Sequence, residues 1–173
     1  MKTLLKFSPA LIALVLGIYF GLQKSGLNPL DSPPPATLGA IVLPDVAGVE
    51  QSGDQWLGKV VVVNHWATWC PPCIREIPVL VDAQDQFGDQ GLQIVGIAHD
   101  FSEAARNFGD QVGINYPSLV VSTGGSELMI SQGNSHGSAL PFTAIFDRNG
   151  DLAETHLGEL ESETLLGLVR PLL

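Results

Sequence analysis

The segment from residue 59 to residue 87 constrains the fold of this chain more than any other. Residues 59–66 (KVVVVNHW) form a continuous run of mostly β-branched side chains, which is typical of a strand buried on both faces of a sheet. Residues 74–87 place apolar side chains at helical spacing, with charged side chains between them. The motif Cys70-Pro71-Pro72-Cys73 lies between the two patterns. The sequence therefore predicts a buried strand, a turn that carries Cys70, and a helix that starts directly after it.

Cys70 and Cys73 are the only two cysteines among 173 residues, which excludes a framework of several structural disulfides. A disulfide across two intervening residues closes a tight ring, and such rings are more readily reduced than structural bridges. The pair is thus predicted to cycle between dithiol and disulfide. Because free N–H groups and the positive dipole end of a helix favour a thiolate, we expect Cys70 to be the nucleophile. Cys73, one turn further on, is expected to be the less exposed, resolving thiol.

The first 22 residues predict a signal anchor. Lys2 and Lys6 precede an apolar run from residue 7 to residue 22, which as a helix would measure ~24 Å. This length is short for a membrane span and long for a signal-peptide core, and no Ala-x-Ala cleavage site follows. We favour an uncleaved anchor over a cleaved signal peptide or a buried soluble helix. The positive-inside rule then places the N-terminus in the cytoplasm and the remainder in the periplasm or extracytoplasmic space.

Residues 23–40 predict a stalk, because they include the stiff segment Ser32-Pro33-Pro34-Pro35, which prefers extended backbone. Beyond residue 30 the chain has 5 Lys and Arg against 18 Asp and Glu, a net charge of about −13. Such a charge argues against nucleic acid as a partner and against docking on anionic lipid. It is most simply explained by solubility.

Residues 41–173 predict one α/β domain. Residues 92–98 form a second buried strand, which with the first strand and helix makes a parallel βαβ unit. Asp100 is expected to cap the next helix, with Glu103 as its capping-box partner. Two short strands at 142–147 and 151–156, joined by a turn at 148–150, precede a final helix. The order β-α-β, then β-β-α, predicts a central mixed sheet flanked by helices.

Four segments of this domain resemble the TlpA/ResA/DsbE group of membrane-anchored, extracytoplasmic thiol–disulfide oxidoreductases. The first, NHWATWCPPC at 64–73, is similar to the family pattern N-x-W-A-T-W-C-x-P-C. The others are REIP at 75–78, GLQIVGI at 91–97 leading to GINYP at 113–117, and LPFTAIFDRNG at 140–150. The resemblance runs from about residue 40 to the C-terminus and implies a thioredoxin fold. It implies no cofactor and no metal.

The resemblance also assigns roles to residues around the cysteines. Pro141 matches a cis-proline beside the redox pair, which would turn the backbone of Leu140 toward a substrate chain. Glu76 matches an acid that could accept the proton of Cys73, directly or through water; its alternative is a solvated helix residue. Trp69 is expected to cover the edge of the dithiol and to form part of the substrate-binding surface, while Trp66 is expected to pack in the core.

Two residues depart from the family pattern, and a third agrees with it in a way that affects proton handling. Asn64 agrees with the family, which usually has Asn where cytoplasmic thioredoxins have a buried Asp, so proton handling would pass to another group, such as Glu76. His65 occupies a position that is usually apolar, and it is either a satisfied core histidine or a group that tunes the proton affinity of the site. Phe142 replaces a smaller residue after the cis-proline and is expected to enlarge the apolar surface near the groove.

The sequence is compatible with three functions. The first is a protein-disulfide reductase that takes electrons from a membrane thiol donor; the family context implies cytochrome c maturation, with apocytochrome c as the substrate. The second is a thiol oxidase or disulfide isomerase, although Pro71 and Pro72 lack the His that oxidising members often carry between the cysteines. The third is a copper or zinc carrier that uses both cysteines and a histidine (His65, His99 or His136), but no second cysteine pair completes a four-ligand site.

Overall fold

The computed structural model describes residues 36–173 and, ahead of them, Gly17. The predicted signal anchor at 1–22, apart from Gly17, and the predicted stalk up to residue 35 lie outside the described residues. Within the described part of the chain, no helix is both long enough and apolar enough to cross a membrane.

The described residues form seven strands: β1 (Val42–Pro44), β2 (Glu50–Ser52), β3 (Val60–Trp66), β4 (Leu92–Ala98), β5 (Ser118–Val120), β6 (Phe142–Phe146) and β7 (Leu152–Leu157). Five of them make a mixed sheet at the centre of the domain, in the order β5-β4-β3-β6-β7. The central strand β3 runs parallel to β4 and antiparallel to β6, as the βαβ and β-β-α patterns predict. A separate two-stranded hairpin, β1 with β2, precedes the sheet, and the sequence did not predict it.

Four α-helices accompany the sheet: α1 (Pro71–Phe87), α2 (Ser102–Val112), α3 (Gly125–Ser131) and α4 (Ser162–Val169). Helix α1 starts directly after Cys70, with prolines in its first two positions, where the missing N–H groups have no partner to lose. It continues past Pro78 to residue 87. Short 3₁₀ turns occupy Leu38–Ala40, Gly53–Trp56 and Gly88–Gln90.

The alternation of side chains along β3 divides the core into two layers. Val60 and Val62 pack with side chains of α1 and α4, and Trp66 packs with the cysteines and with Ala105 of α2. Val61 and Val63 face the opposite layer, which includes the 3₁₀ turns and α3. All seven residues of β3 are buried, which the run of β-branched residues predicted. Consecutive residues at the end of β3 therefore enter two different environments.

The sequence-based predictions for the end of the stalk and for the cap of α2 were wrong. Residues 36–40, assigned from sequence to the stalk, pack on the domain: Leu38 is fully buried and its N–H donates to Gly150 O. Asp100 does not cap α2, whose N-cap is Phe101. The carboxylate of Asp100 instead accepts hydrogen bonds from the backbone N–H and the hydroxyl of Thr68, so it holds the turn that precedes the cysteines.

Candidate functional site

The two cysteines lie at the N-terminus of α1 and form a disulfide with an S–S distance of 2.05 Å and a Cα–Cα distance of 5.3 Å. Cys70 is the N-cap residue of the helix and is 5% exposed, whereas Cys73 is fully buried. This is the order of exposure that the sequence predicted. The neighbouring Trp69 is 66% exposed and lies at the surface beside the disulfide. A partner molecule could thus reach the sulfur of Cys70 before that of Cys73.

The peptide bond between Leu140 and Pro141 is cis, as the family pattern predicted. Pro141 is buried, and the half-buried side chain of Leu140 packs against the cluster that contains both cysteines. The Leu140–Pro141 segment and the N-terminus of α1 therefore border the same region of the surface.

Glu76 is buried below the dithiol, on the face of α1 that packs on the sheet, and is only 1% exposed. Its Oε1 accepts a hydrogen bond of 2.7 Å from Asn64 Nδ2, and its Oε2 accepts one of 2.7 Å from the backbone N–H of Leu160. Burial raises the pKa of Glu76 to about 7, against these two hydrogen bonds, and the charge of Glu159 adds to the rise. Glu76 is therefore not a solvated helix residue, and its carboxyl group can change charge near neutral pH.

His65 lies on the opposite face of β3 and is fully buried. Its Nε2–H donates to Gln132 Oε1 at 2.7 Å, so its Nδ1 accepts from the Nε2–H of His99 at 2.8 Å. Burial lowers the pKa of His65 to about 3; the bond to Gln132 opposes this shift and the neighbouring His99 adds to it. His65 is thus a neutral core histidine with both ring nitrogens satisfied, the first of the two interpretations that the sequence left open.

A surface groove of about 450 Å³ is bordered by Trp69, the residue that precedes Cys70. Its walls include Trp69, Phe101 and His99, and its floor continues into the loop before α3. Phe101 is 81% exposed, so two aromatic side chains stand open to solvent here. Phe142, in contrast, is only 1% exposed and its ring packs 5.8 Å from that of His65. The expectation that Phe142 enlarges the apolar surface was wrong, because β6 turns this side chain into the core.

Sequence patterns alone did not identify several partners of the site. Thr143 accepts a hydrogen bond from Asn64 Nδ2 at 3.1 Å, and the N–H of Leu160 reaches Glu76 from a loop 84 residues away in sequence. Gln132 and His99 complete the environment of His65. The register of β3 with β6 places Thr143 opposite Asn64. Leu160 lies on a loop, and His99 and Gln132 directly follow β4 and α3, so their positions depend on how these elements pack. Across residues 36–173, the structure contains no group of three or more His, Cys, Asp or Glu side chains arranged to hold a metal ion.

A family profile and a known relative both match most of this chain. The sequence profile of the Redoxin family matches residues 32–167. The thiol-disulfide oxidoreductase ResA of Bacillus thuringiensis (strain Al Hakam) is 28% identical over 130 residues, which cover 75% of this chain and 72% of that protein.

Two solved structures show the same fold. A thiol:disulfide interchange protein of the thioredoxin family from Chlorobium tepidum superposes with a TM-score of 0.69 at 26% identity, over 82% of this chain and 98% of that one. The exposed lipoprotein thioredoxin of Streptococcus pneumoniae strain TIGR4 superposes with a TM-score of 0.64 at 26% identity, over 76% of this chain and 98% of that one. The domain around the two cysteines is accordingly a thioredoxin-like fold.

Proposed function

The chain belongs to the Redoxin family and is a thiol–disulfide oxidoreductase of the ResA and DsbE type, and from this premise we propose that it is a protein-disulfide reductase tethered outside the cytoplasmic membrane. The observation that carries the proposal is the asymmetry of the dithiol. Cys70 is 5% exposed at a helix N-terminus, while Cys73 is fully buried on the helix that also carries the buried acid Glu76.

In the proposed reaction, the Cys70 thiolate attacks one sulfur of a substrate disulfide, and the other substrate sulfur leaves as a thiolate. The positive end of α1 stabilises the attacking thiolate, because Cys70 lies at its N-cap. Cys73, once deprotonated, attacks the Cys70 sulfur and releases the substrate as a dithiol. Two electrons have then passed to the substrate, and Cys70 and Cys73 are joined as in the structure described above.

We assign to Glu76 the role of base for Cys73. A carboxylate with a pKa of about 7 is matched to take a proton near neutral pH and to release it in the reverse step. Asn64 and the N–H of Leu160 hold the carboxylate in place through one hydrogen bond to each oxygen. This role requires Glu76 to be ionised at the moment when Cys73 attacks.

The substrate surface is proposed to consist of Trp69, the backbone of Leu140 and the cis-proline Pro141. Trp69 offers an exposed aromatic face beside Cys70, and Leu140 borders the cysteine cluster. An extended polypeptide that carries a disulfide could lie across these groups and pair with the backbone of Leu140 in strand-like fashion.

The location outside the membrane is proposed from the N-terminal sequence and from one relative. Lys2 and Lys6 before the apolar run favour a signal anchor, and the pneumococcal relative is an exposed lipoprotein. Since an extracytoplasmic compartment is oxidising, the dithiol would depend on a membrane thiol donor for its electrons. Apocytochrome c, whose haem-site cysteines must be reduced before ligation, is the proposed substrate.

A trapping experiment in intact cells tests the reaction. The Cys73→Ala variant retains the nucleophile but cannot resolve, so it should accumulate a mixed disulfide through Cys70 with its substrate. The double variant Cys70→Ala/Cys73→Ala is the matched control, because it lacks the attacking sulfur. If Cys73→Ala yields no more reducible adduct than the double variant at equal abundance, the proposed reaction is wrong.

The redox state of the pair in cells tests the direction of electron transfer. A reductase should hold Cys70 and Cys73 mostly as thiols, measured by maleimide mass-tagging after acid quenching. A mostly disulfide population would instead support the alternative, a thiol oxidase or isomerase. The cytochrome c assignment has its own test: loss of the gene should lower covalently bound haem c, and a small thiol reductant in the medium should restore it.

A further inference from the structure

The sheet surface below α1 carries a row of small and polar residues at one level. Asn64 on β3 is paired with Gly96 on β4 and with Thr143 on β6, and Gly96 is paired in turn with Ser118 on β5. Most other residues of this layer are apolar. The carboxylate of Glu76 is bonded to this row through Asn64.

Three buried polar atoms near this row have no hydrogen-bond partner among the described residues: Asn64 Oδ1, Trp66 Nε1 and Tyr116 Oη. Each belongs to a side chain that is at most 6% exposed. Buried polar atoms in folded proteins are almost always paired, either with protein or with an ordered water. Three unpaired atoms in one layer therefore call for a common explanation.

Gly96 lies next to the three residues that carry these atoms. A Cβ built on Gly96 would lie 3.0 Å from Trp66 Nε1 and 3.3 Å from Tyr116 Cε2, and Asn64 is the neighbour of Gly96 on β3. We call the surroundings of Gly96 that are formed by Asn64, Trp66 and Tyr116 the Gly96 notch. Burial raises the pKa of Tyr116, and the charge of Glu76 raises it further. Tyr116 and Glu76 therefore interact electrostatically.

The donors and acceptors of the notch complement those of a single water molecule. Trp66 Nε1–H can only donate and Asn64 Oδ1 can only accept, while the Tyr116 hydroxyl can do both. A water can accept from Trp66, donate to Asn64 and complete its bonding with Tyr116, which matches the usual two to four partners of a buried water.

We propose that the Gly96 notch binds an ordered water that polarises Asn64 and thereby strengthens its hydrogen bond to the Glu76 carboxylate. A water that donates to Asn64 Oδ1 makes Asn64 Nδ2 a better donor, because linked hydrogen bonds reinforce one another. Tyr116 and Trp66 are then positioning residues for Glu76, and Gly96 is required because a Cβ there would lie only 3.0 Å from Trp66 Nε1. The presence of the water does not depend on the proposed role of Glu76 as a base. Only an effect of the water on turnover rests on that proposed role.

The charged and titratable groups around Glu76 limit what else could move its pKa. Glu159, on the loop between β7 and α4, raises the pKa of Glu76 and is itself paired with Arg75. Strands β3 and β6 contribute the neutral side chains of Asn64 and Thr143, Tyr116 lies before β5, and Cys73 shares α1. Measurements on the oxidised protein remove Cys73 from the titration.

The test follows the side-chain carboxyl carbon of Glu76 by ¹³C NMR between pH 5 and 9 in the oxidised protein. In the Tyr116→Phe variant, loss of the hydroxyl weakens the support of the carboxylate, so the titration midpoint should rise by roughly 0.5 pH unit. Gly96→Ala, which displaces the water, should raise it further. Gly109→Ala is the matched control, since a Cβ there meets only ordinary contacts of 3.6 Å or more, and it should leave the midpoint unchanged.

If the Tyr116 hydroxyl had no hydrogen-bond partner, the variant would give a different result. Removal of the hydroxyl in Tyr116→Phe would leave the Glu76 midpoint in place and would make the protein more stable to urea, because an unsatisfied buried group is eliminated. That result overturns the proposal. A high-resolution crystal structure of the unaltered protein provides a test that needs no variant: density for a water within hydrogen-bond distance of Trp66 Nε1 supports the site, and its absence contradicts it. Since no substrate is involved, these results are separable from a failure of the proposed reductase activity.

Discussion

Two consecutive residues near the end of β3 lead to buried titratable groups whose pKa values differ widely. Asn64 faces α1 and binds Glu76, whose pKa is about 7, whereas His65 faces α3 and has a pKa of about 3. Both titratable side chains are at most 1% exposed. His65 has a neutral partner at each ring nitrogen and stays neutral at physiological pH. Glu76 retains a carboxyl group that changes charge in the range where thiol chemistry takes place.

Burial alone does not create a group that can transfer protons near neutral pH. Burial disfavours the charged form in both cases, so it lowers the pKa of the histidine and raises that of the acid. Starting from the ordinary values of 6.5 and 4.5, the histidine moves away from neutral pH and the acid moves toward it. Only the acid also lies on the helix that carries the cysteines.

The largest expected effect concerns the pH dependence of stability, in which the two groups have opposite signs. Glu76 is protonated up to about pH 7 when folded but only to about pH 4.5 when unfolded, so its contribution to stability is lost as pH rises between these values, on the order of 3 kcal/mol. His65 binds its proton near pH 6.5 when unfolded but near pH 3 when folded, so stability is lost as pH falls through this range.

Urea unfolding of the oxidised protein at several pH values checks both signs. The two windows overlap between pH 4.5 and 6.5, where the two contributions oppose each other, so each variant is compared with the unaltered protein at the same pH. Relative to the unaltered protein, Glu76→Gln should gain about 3 kcal/mol as pH rises from 4.5 to 7, and His65→Gln should gain stability as pH falls from 6.5 to 3. If the difference in stability between Glu76→Gln and the unaltered protein does not change with pH, the acid is not the group that titrates, and the contrast between the two faces of β3 fails.

The second effect concerns turnover. If Glu76 is the base for Cys73, Glu76→Gln should slow disulfide reduction by roughly 100-fold, which is the lower end of typical general-base contributions. The unaltered enzyme should lose rate as pH falls below about 7, because the carboxylate becomes protonated, and the variant should lack this limb. An insulin-reduction assay across pH 5–9 measures both quantities. His65→Gln serves as the comparison and should retain the limb, since a histidine with a pKa of about 3 does not titrate there.

The smallest effect concerns the neutral partners on each face. Gln132→Met leaves the Nε2–H of His65 without its acceptor, and Thr143→Val leaves one N–H of Asn64 without its acceptor. Each variant should lose about 1 kcal/mol of stability in urea. Only Thr143→Val should also move the Glu76 titration, because Asn64 links the two residues. A shift of the same size in Gln132→Met would show that the two faces are coupled through β3.

The sequence predicted the elements that depend on local patterns. The β-branched run of β3, the prolines after Cys70 and the apolar periodicity of α1 each indicated their structure, and the cis bond before Pro141 followed from a motif. The hairpin of β1 and β2 was missed because each strand has only three residues, too few for a periodic signal. The Asp100 cap was wrong because a tertiary acceptor role, toward Thr68, outweighed the local capping preference.

What the sequence determined by itself is the chemistry: two cysteines, one at a helix N-terminus, in a chain with no other thiol to pair with. Which neighbours serve that chemistry was decided by the tertiary structure alone. The partners of Glu76 and His65 come from β3, from the residues that directly follow β4 and α3, and from the loop before α4, up to 84 residues away in sequence. Their distances depend on strand register and helix packing, and a shift of one residue would turn each side chain to the other face. For this reason the dithiol was visible in the sequence, while the buried polar network beside it was not.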